Sequence, residues 1–310
     1  MINTLTLNPA IDAILYVDTF RRNVTNRARA SAQTMGGKGT HVSMNLSLMG
    51  TPSRAFGFGF GGNGQRIIDM LQASGVEPCF VYDPQGESRV NTLIVEESTK
   101  DSTLISTRGP QPTPAQTQAL YALMEQRIQE GDYLALSGDA SNFSDPRIYN
   151  RILERLSPKR LRVVLDASGE SLRQCVGCAP YLLKPNEDEL SQLTGLPTDT
   201  QQDVIKAIGA LDRYHIPIVA VTLGGRGSIV RTQDRLYRVH SPQVRVFNTV
   251  GCGDCFVAGL LHGFAQGVCL EDNLRYATAA GAAMAEEALS VNFDPGRAVA
   301  LCSQVRIERL

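Results

Sequence analysis

Asp254 sits in the run Asn248-Thr249-Val250-Gly251-Cys252-Gly253-Asp254-Cys255-Phe256-Val257-Ala258-Gly259, where small residues deliver one carboxylate to a predicted helix start. Phe256, Val257, Leu260, Leu261 and Phe264 recur at helical spacing, so a helix is expected over Asp254–Gln266. Glycines at 251 and 253 permit a tight turn and leave backbone N–H groups uncovered. Those donors, with the positive end of the helix dipole, suit a transferring phosphoryl group. A carboxylate in such a place makes sense as the acceptor of a proton from an attacking hydroxyl. The same residues also describe a glycine turn and an aspartate N-cap worth about 1 kcal/mol. On this motif alone both readings stand.

Three further clusters carry chemistry. Gly36-Gly37-Lys38-Gly39 opens a helical pattern and reads either as a simple turn or as backbone laid against a ligand with Lys38 supplying charge. It is not a phosphate-binding Walker loop, because Ala32 and Gly39 stand where that motif needs glycine and Ser/Thr. Val221-Thr222-Leu223-Gly224-Gly225-Arg226-Gly227 follows a strand pattern and reads as a cover for nucleotide phosphates or as a hairpin turn. Asn186 and Glu189 lie one helical turn apart, suited to a water-bridged Mg²⁺ or to an Asn cap closed by a capping-box glutamate. Gly57-Phe58-Gly59-Phe60-Gly61-Gly62 fits the dinucleotide fingerprint in letters, but a strand and a helix precede it, which argues against nicotinamide or flavin.

The elements that must position these residues alternate. Apolar runs at Ile2–Leu7, Leu134–Leu136, Val163–Leu165, Tyr181–Leu183 and Ile218–Thr222 predict buried strands. Helical patterns fit Lys38–Leu48, Gly64–Ala73, Pro114–Gln129, Asp145–Leu156, Glu187–Leu193, Asp203–Tyr214, Asp254–Gln266 and Glu271–Ala288. Such alternation predicts an α/β fold with a mostly parallel sheet, helices on both faces and ligands at the strand carboxyl ends. Residues 12 to 34 and 88 to 106 break the rhythm with short polar strand-like pieces. Together they predict a small antiparallel sheet, a natural lid, on a single domain spanning 1 to 310.

Composition narrows the classes. Thirty Lys and Arg against 31 Asp and Glu give a formal net charge of −1, with no basic block to attract nucleic acid. The N-terminus carries no signal-peptide pattern, and no run approaches the roughly 20 apolar residues of a membrane span, so a soluble cytoplasmic protein is expected. Seven cysteines suit a reducing compartment. Cys175/Cys178 and Cys252/Cys255 have C-x-x-C spacing, but they lie far further apart than a zinc-ribbon pattern allows, and buried free thiols are the expectation.

Taken in order, these pieces resemble the PfkB (ribokinase-like) family of carbohydrate kinases, in particular its hexose-phosphate branch of 1-phosphofructokinase and tagatose-6-phosphate kinase. Gly36-Gly37-Lys38-Gly39 resembles the early signature and Thr249-Val250-Gly251-Cys252-Gly253-Asp254 the late one. Thr6-Leu7-Asn8-Pro9-Ala10-Ile11-Asp12, Arg89-Val90-Asn91, Asp166-Ala167-Ser168-Gly169-Glu170, Lys184-Pro185-Asn186-Glu187 and Val221-Thr222-Leu223-Gly224 are similar in register.

The resemblance implies a three-layer αβα sandwich with a β-lid that often serves for dimerisation. It implies ATP-dependent phosphorylation of a sugar phosphate, with Asp254 as base and the amides of Gly251, Cys252 and Gly253 as anion hole. Asp12, Gly37, His41 and Asn91 would contact the sugar, and Lys38 and Arg89 its phosphate, with Arg27 and Arg108 as helpers. Lys184, Asn186, Thr222, Gly224 and Gly227 would hold the nucleotide, with Asn186 and Glu189 organising Mg²⁺. A kinase of an unphosphorylated sugar or nucleoside, or a sugar-phosphate sensor without catalysis, is the alternative.

Departures from the family pattern are expected to bear on the sugar. His41 stands where the signature has asparagine, which suggests an altered sugar contact. Asn63 replaces a common aspartate, and Gly138-Asp139-Ala140 lacks the bulkier residues common there. Cys252 and Cys255 flank Asp254 where alanine and serine are usual, and thiols beside a helix start and an anion site could be reactive.

Overall fold

In this computed structural model the described residues are 1–99, 101–138 and 140–310, so Asp139 of the Gly138-Asp139-Ala140 departure lies outside them. The strands, in chain order, begin with β1 (Ile2–Thr6), β2 (Ala10–Val17), β3 (Ala30–Gly36), β4 (Ser53–Phe60), β5 (Glu77–Asp83), β6 (Arg89–Glu96) and β7 (Ser102–Ile105). They continue with β8 (Tyr133–Gly138), β9 (Arg162–Ala167), β10 (Leu182–Leu183), β11 (Ile218–Thr222), β12 (Ser228–Arg231), β13 (Leu236–His240) and β14 (Arg306–Arg309). The helices are α1 (Lys38–Leu48), α2 (Gly61–Ala73), α3 (Pro114–Arg127), α4 (Ile148–Leu156), α5 (Gly169–Cys175), α6 (Glu187–Thr194), α7 (Gln201–Gly209), α8 (Cys252–Gln266), α9 (Leu270–Ala285) and α10 (Pro295–Leu301).

Among the described residues the main sheet has ten strands in the order β14-β13-β12-β11-β10-β9-β8-β1-β4-β5. It is parallel from β5 to β11 and antiparallel from β11 to β14. Side chains alternate between its faces, as strand pleating requires. On β8, Leu134 and Leu136 enter the core beneath α3 to α7, whereas Tyr133 and Ala135 enter the core beneath α1, α8, α9 and α10. Both faces are therefore apolar, the pattern of a helix-covered parallel sheet, and the expected three-layer αβα architecture is found.

The second sheet holds β3, β2, β6 and β7. Its location matches the expectation from residues 12 to 34 and 88 to 106, but its pairing does not. β2 and β6 run parallel, Ala10 opposite Arg89 through Val17 opposite Glu96, flanked by antiparallel pairs. The two strands reach this sheet from β1 and β5 of the main sheet, so both leave its carboxyl edge in the same direction.

Helix α8 is anchored by close packing. A Cβ on Gly259 would come within 2.7 Å of Ala277 Cα, and Asn273 Nδ2 donates to Leu260 O at 2.9 Å. Val257, Leu260 and Leu261 are buried, each worth about 1.5–3 kcal/mol. The first turn of α8 is thus a fixed point.

Candidate active site

Of the predicted residues, Lys38, Lys184 and Glu189 gather around Asp166, and His41 meets Asp254. Gly251 precedes α8 at φ 87°, a left-handed conformation that suits glycine. The first α8 bond runs from Cys255 N–H to Gly251 O at 2.8 Å, leaving the N–H groups of Gly251, Gly253 and Asp254 without an acceptor among the described residues. Cys252 differs from the expected trio, since its N–H already leans on Thr249 O at 3.4 Å. Asp254, 6% exposed, stands in the first turn. Its Oδ2 is held by His41 Nδ1 at 2.8 Å, and its Oδ1 has no partner among the described residues.

Both ring nitrogens of His41, expected at the sugar, are engaged within the protein. The residue is buried in α1, and its second ring nitrogen meets Met35 O at 2.7 Å. Burial opposes its charge, but the hydrogen bond and charge of Asp254, the charge of Asp12 and the Met35 carbonyl outweigh it and raise its pKa.

Asp166, a residue to which its motif alone assigns no role, is the point where Lys38 and Lys184 meet. It lies next to last in β9 at 1% exposure; its Oδ1 accepts from Lys38 Nζ at 3.2 Å and is ion-paired with Lys184 Nζ at 3.1 Å. Burial pushes its pKa up, against the pull of the two ammoniums. Lys38 also lies 3.6 Å from Glu189 Oε1. Its pKa stands above the ordinary lysine value because Asp166, Glu189 and Asp254 outweigh its burial. Lys38 and Lys184 thus share Asp166.

Asn186 and Glu189 form the capping box of α6. Asn186 Oδ1 accepts from Glu189 N–H at 2.8 Å, and Glu189 Oε2 accepts from Asn186 N–H at 2.9 Å. That leaves Glu189 Oε1 and the partnerless, buried Asp166 Oδ2 as oxygen donors for a hard cation. No group of three or more His, Cys, Asp or Glu among the described residues could cage a metal. The donor set fits an ion that keeps its waters and leans on substrate phosphates, as Mg²⁺ does.

Thr222 and Asn186 form an isolated parallel bridge, and Thr222 N–H donates to Pro185 O at 3.0 Å. The loop beyond is the β11–β12 hairpin turn: Gly224 has φ 57°, Gly227 has φ 95°, and Leu223 N–H donates to Gly227 O at 2.8 Å. Arg238 clamps it from below, donating to Arg226 O at 2.7 Å and Val239 O at 2.7 Å.

On the small sheet Asp12, Asn91, Ser106 and Arg89 form a chain. Asn91 Nδ2 donates to Asp12 Oδ1 at 2.8 Å, Ser106 Oγ to Asn91 Oδ1 at 3.0 Å, and Arg89 to Ser106 Oγ at 2.8 Å. Arg89 also donates to Asn8 O at 3.1 Å. Gly36 lies against the Asp12 carboxylate so closely that a Cβ would overlap it, and Gly37 follows at φ 115° as the residue before α1. Arg108 donates to Ser141 O at 3.1 Å, and Arg27 is exposed on the β2–β3 connection.

The cysteines beside Asp254 are held toward their protonated thiol form. Burial and the Asp254 charge push Cys252 up to about 12, and burial drives Cys255 well above its ordinary value. Among the described residues no helix is long and apolar enough to cross a membrane.

A carboxylate with one open oxygen, uncovered helix-start amides and paired ammoniums at the carboxyl edge of a parallel sheet define a class, the phosphotransferases. The profile described as pfkB family carbohydrate kinase matches residues 6–295. The 1-phosphofructokinase of Bacillus subtilis (strain 168) is 32% identical over 285 residues, covering 92% of each chain. Among solved structures, Escherichia coli phosphofructokinase-2 with potassium has a TM-score of 0.89 at 23% identity over 98% of both chains. A Thermotoga maritima protein described as a possible 1-phosphofructokinase has a TM-score of 0.86 at 23% identity, over 100% of this chain and 99% of its own. The chain belongs to the pfkB family of carbohydrate kinases, phosphotransferases whose acceptor is a hydroxyl group.

Proposed function

We propose that the protein transfers the γ-phosphoryl group of ATP to a hydroxyl of a ketohexose phosphate, of the fructose 1-phosphate, fructose 6-phosphate or tagatose 6-phosphate type, giving a bisphosphate. The observation that carries this reading is that Asp254 Oδ1 has no partner among the described residues and belongs to the same helix start whose Gly251, Gly253 and Asp254 amides have no acceptor among them. Oδ1 takes the hydroxyl proton as the hydroxyl oxygen attacks phosphorus. The amides meet the charge on the transferring oxygens, a contribution typically worth several kcal/mol when preorganised. Lys38 and Lys184, held by Asp166, face the same charge. Mg²⁺ bridged through water to Glu189 Oε1 would screen the triphosphate.

Asp12 and Asn91 bind sugar hydroxyls, and Arg89 lies at the far end of their chain, where a second phosphate would sit. The similarity to a 1-phosphofructokinase at 32% identity supports a phosphorylated acceptor. Residues 1 to 310 act as one kinase domain, and the small sheet serves as a lid that excludes water as a competing acceptor. Exposed Val90, Leu104 and Ile105 on that sheet support its use in pairing two copies.

ATP consumption across ketohexose phosphates, free ketoses and nucleosides tests the reading. A ketohexose phosphate should be turned over far faster than the rest, and Asp254→Asn should abolish turnover while sparing binding. Preference for a free sugar or nucleoside, or near-normal turnover by the variant, would refute it.

A further inference from the structure

Both ring nitrogens of His41 face oxygens whose ordinary states only accept hydrogen bonds. Nε2 meets the Met35 carbonyl at 2.7 Å, and Nδ1 meets Asp254 Oδ2 at 2.8 Å. A carbonyl oxygen has no proton to give, so Nε2 carries one. A neutral ring would then point the Nδ1 lone pair at a carboxylate lone pair, and at this distance the two repel. The contact requires a second proton between them.

We propose that His41 is a positioning residue that holds Asp254 as an imidazolium–carboxylate pair, making turnover depend on a proton that the base alone would not require. The proposal rests on the reading of Asp254 as the base. It differs from the sugar contact expected of the asparagine that this position has in the family signature, because neither His41 nitrogen is left for a sugar.

The pair accounts for the direction of the open oxygen. With Oδ2 tied down, the carboxylate cannot rotate, and Oδ1 is left as the acceptor. As the substrate O–H bond breaks and the Oδ1–H bond forms, the pair passes from neutral to one net positive charge. An asparagine partner would leave the protonated site neutral. The extra charge develops as the sugar oxygen attacks, beside amides already arranged for an anion.

The groups facing the pair come from several elements. Asp12 on β2 bears on the ring, while Lys38 at the start of α1 and Asp166, next to last in β9, bear on Asp254. Cys252, at the start of α8, stays a neutral thiol. The carboxylates Asp254 and Asp12 favour the charged ring against the cost of burying it at 3% exposure.

The test combines kinetics with ¹⁵N NMR of the histidine rings. In the substrate-free protein at about pH 7, His41 should have both nitrogens protonated, and in Asp254→Asn it should revert to a single ring proton. Wild-type kcat should fall on the alkaline side by roughly tenfold per pH unit. In His41→Asn, whose amide donates at every pH, that alkaline limb should disappear while KM for ATP is little changed. A singly protonated ring in the wild type, or the same alkaline limb in His41→Asn, would overturn the proposal. If His41→Asn does not fold, the wild-type ring signals still decide. A doubly protonated ring combined with an active Asp254→Asn would leave the ion pair standing and remove the base reading. An inactive Asp254→Asn with an unchanged His41→Asn profile would do the reverse.

Discussion

Gly251 lies directly against the Ser290 carbonyl, so close that a Cβ would overlap its oxygen, and it does so at φ 87°. An alanine there meets both the left-handed strain of about 1–2 kcal/mol and the collision. The turn must move, and the amides of Gly253 and Asp254 move with it. Gly251→Ala is expected to lower kcat at least roughly 100-fold, the scale of one lost oxyanion donor, and to lower the melting temperature. Steady-state kinetics and thermal unfolding check this; wild-type kcat would show that the turn does not set the site.

Asp166 holds two ammoniums on one buried oxygen. Replacing it with asparagine takes the counter-charge from Lys184 and leaves Lys38 leaning on Glu189 at 3.6 Å, and breaking buried pairs costs about 3–5 kcal/mol. Lys184→Met is milder, because Lys38 still neutralises the carboxylate. Urea denaturation should rank Asp166→Asn as the less stable variant. The opposite order would mean that the carboxylate is a burden the lysines offset.

His41 also ties stability to pH. Its folded pKa lies above the unfolded value of about 6.5, so its contribution is complete below that value and is lost as pH rises through the folded pKa. Unfolding free energy of the wild type should therefore decline more steeply on the alkaline side than that of His41→Asn. Parallel curves would contradict a protonated ring in the native state.

Cys178 is the thiol to watch. It is exposed after α5, and the hydrogen bond from Cys175, joined by one from Asn150 at 3.2 Å, lowers its pKa to about 7 despite partial burial. Iodoacetamide at neutral pH should label Cys178 well before Cys252, with activity retained. Peptide mapping alongside activity checks the order, and inactivation that tracks Cys252 labelling would contradict it.

The central strands were legible because β-branched and apolar residues cluster where both faces of a sheet are covered, as at Ile218–Thr222, which matches β11 residue for residue. Less regular strands were not. β4 is interrupted by glycines at 57 and 59, and β12 to β14 are short pieces toward a sheet edge, where packing rather than pattern decides. The span Asp203–Tyr214 proved to be α7 from Gln201 to Gly209 and a separate 3₁₀ turn at Asp212–Tyr214. The capping box of Thr200 and Asp203 had marked the earlier start. The direction of β2 against β6 depends on where two distant segments leave the main sheet, which no local signal carries. The same is true of His41 and Asp254, 213 residues apart. Types and spacing located each half of that pair, and only the packing of α1 beside α8 joined them.

Glu189 closes the α6 cap with one oxygen and turns the other toward Lys38. Two selective demands therefore converge on a single side chain. A substitution that retuned the contact with Lys38 would at the same time unpick the beginning of a helix, so improvement in one trait arrives with damage to the other unless a second change elsewhere restores the cap. For directed evolution this position is a bottleneck, best approached after α6 has been reinforced by other means.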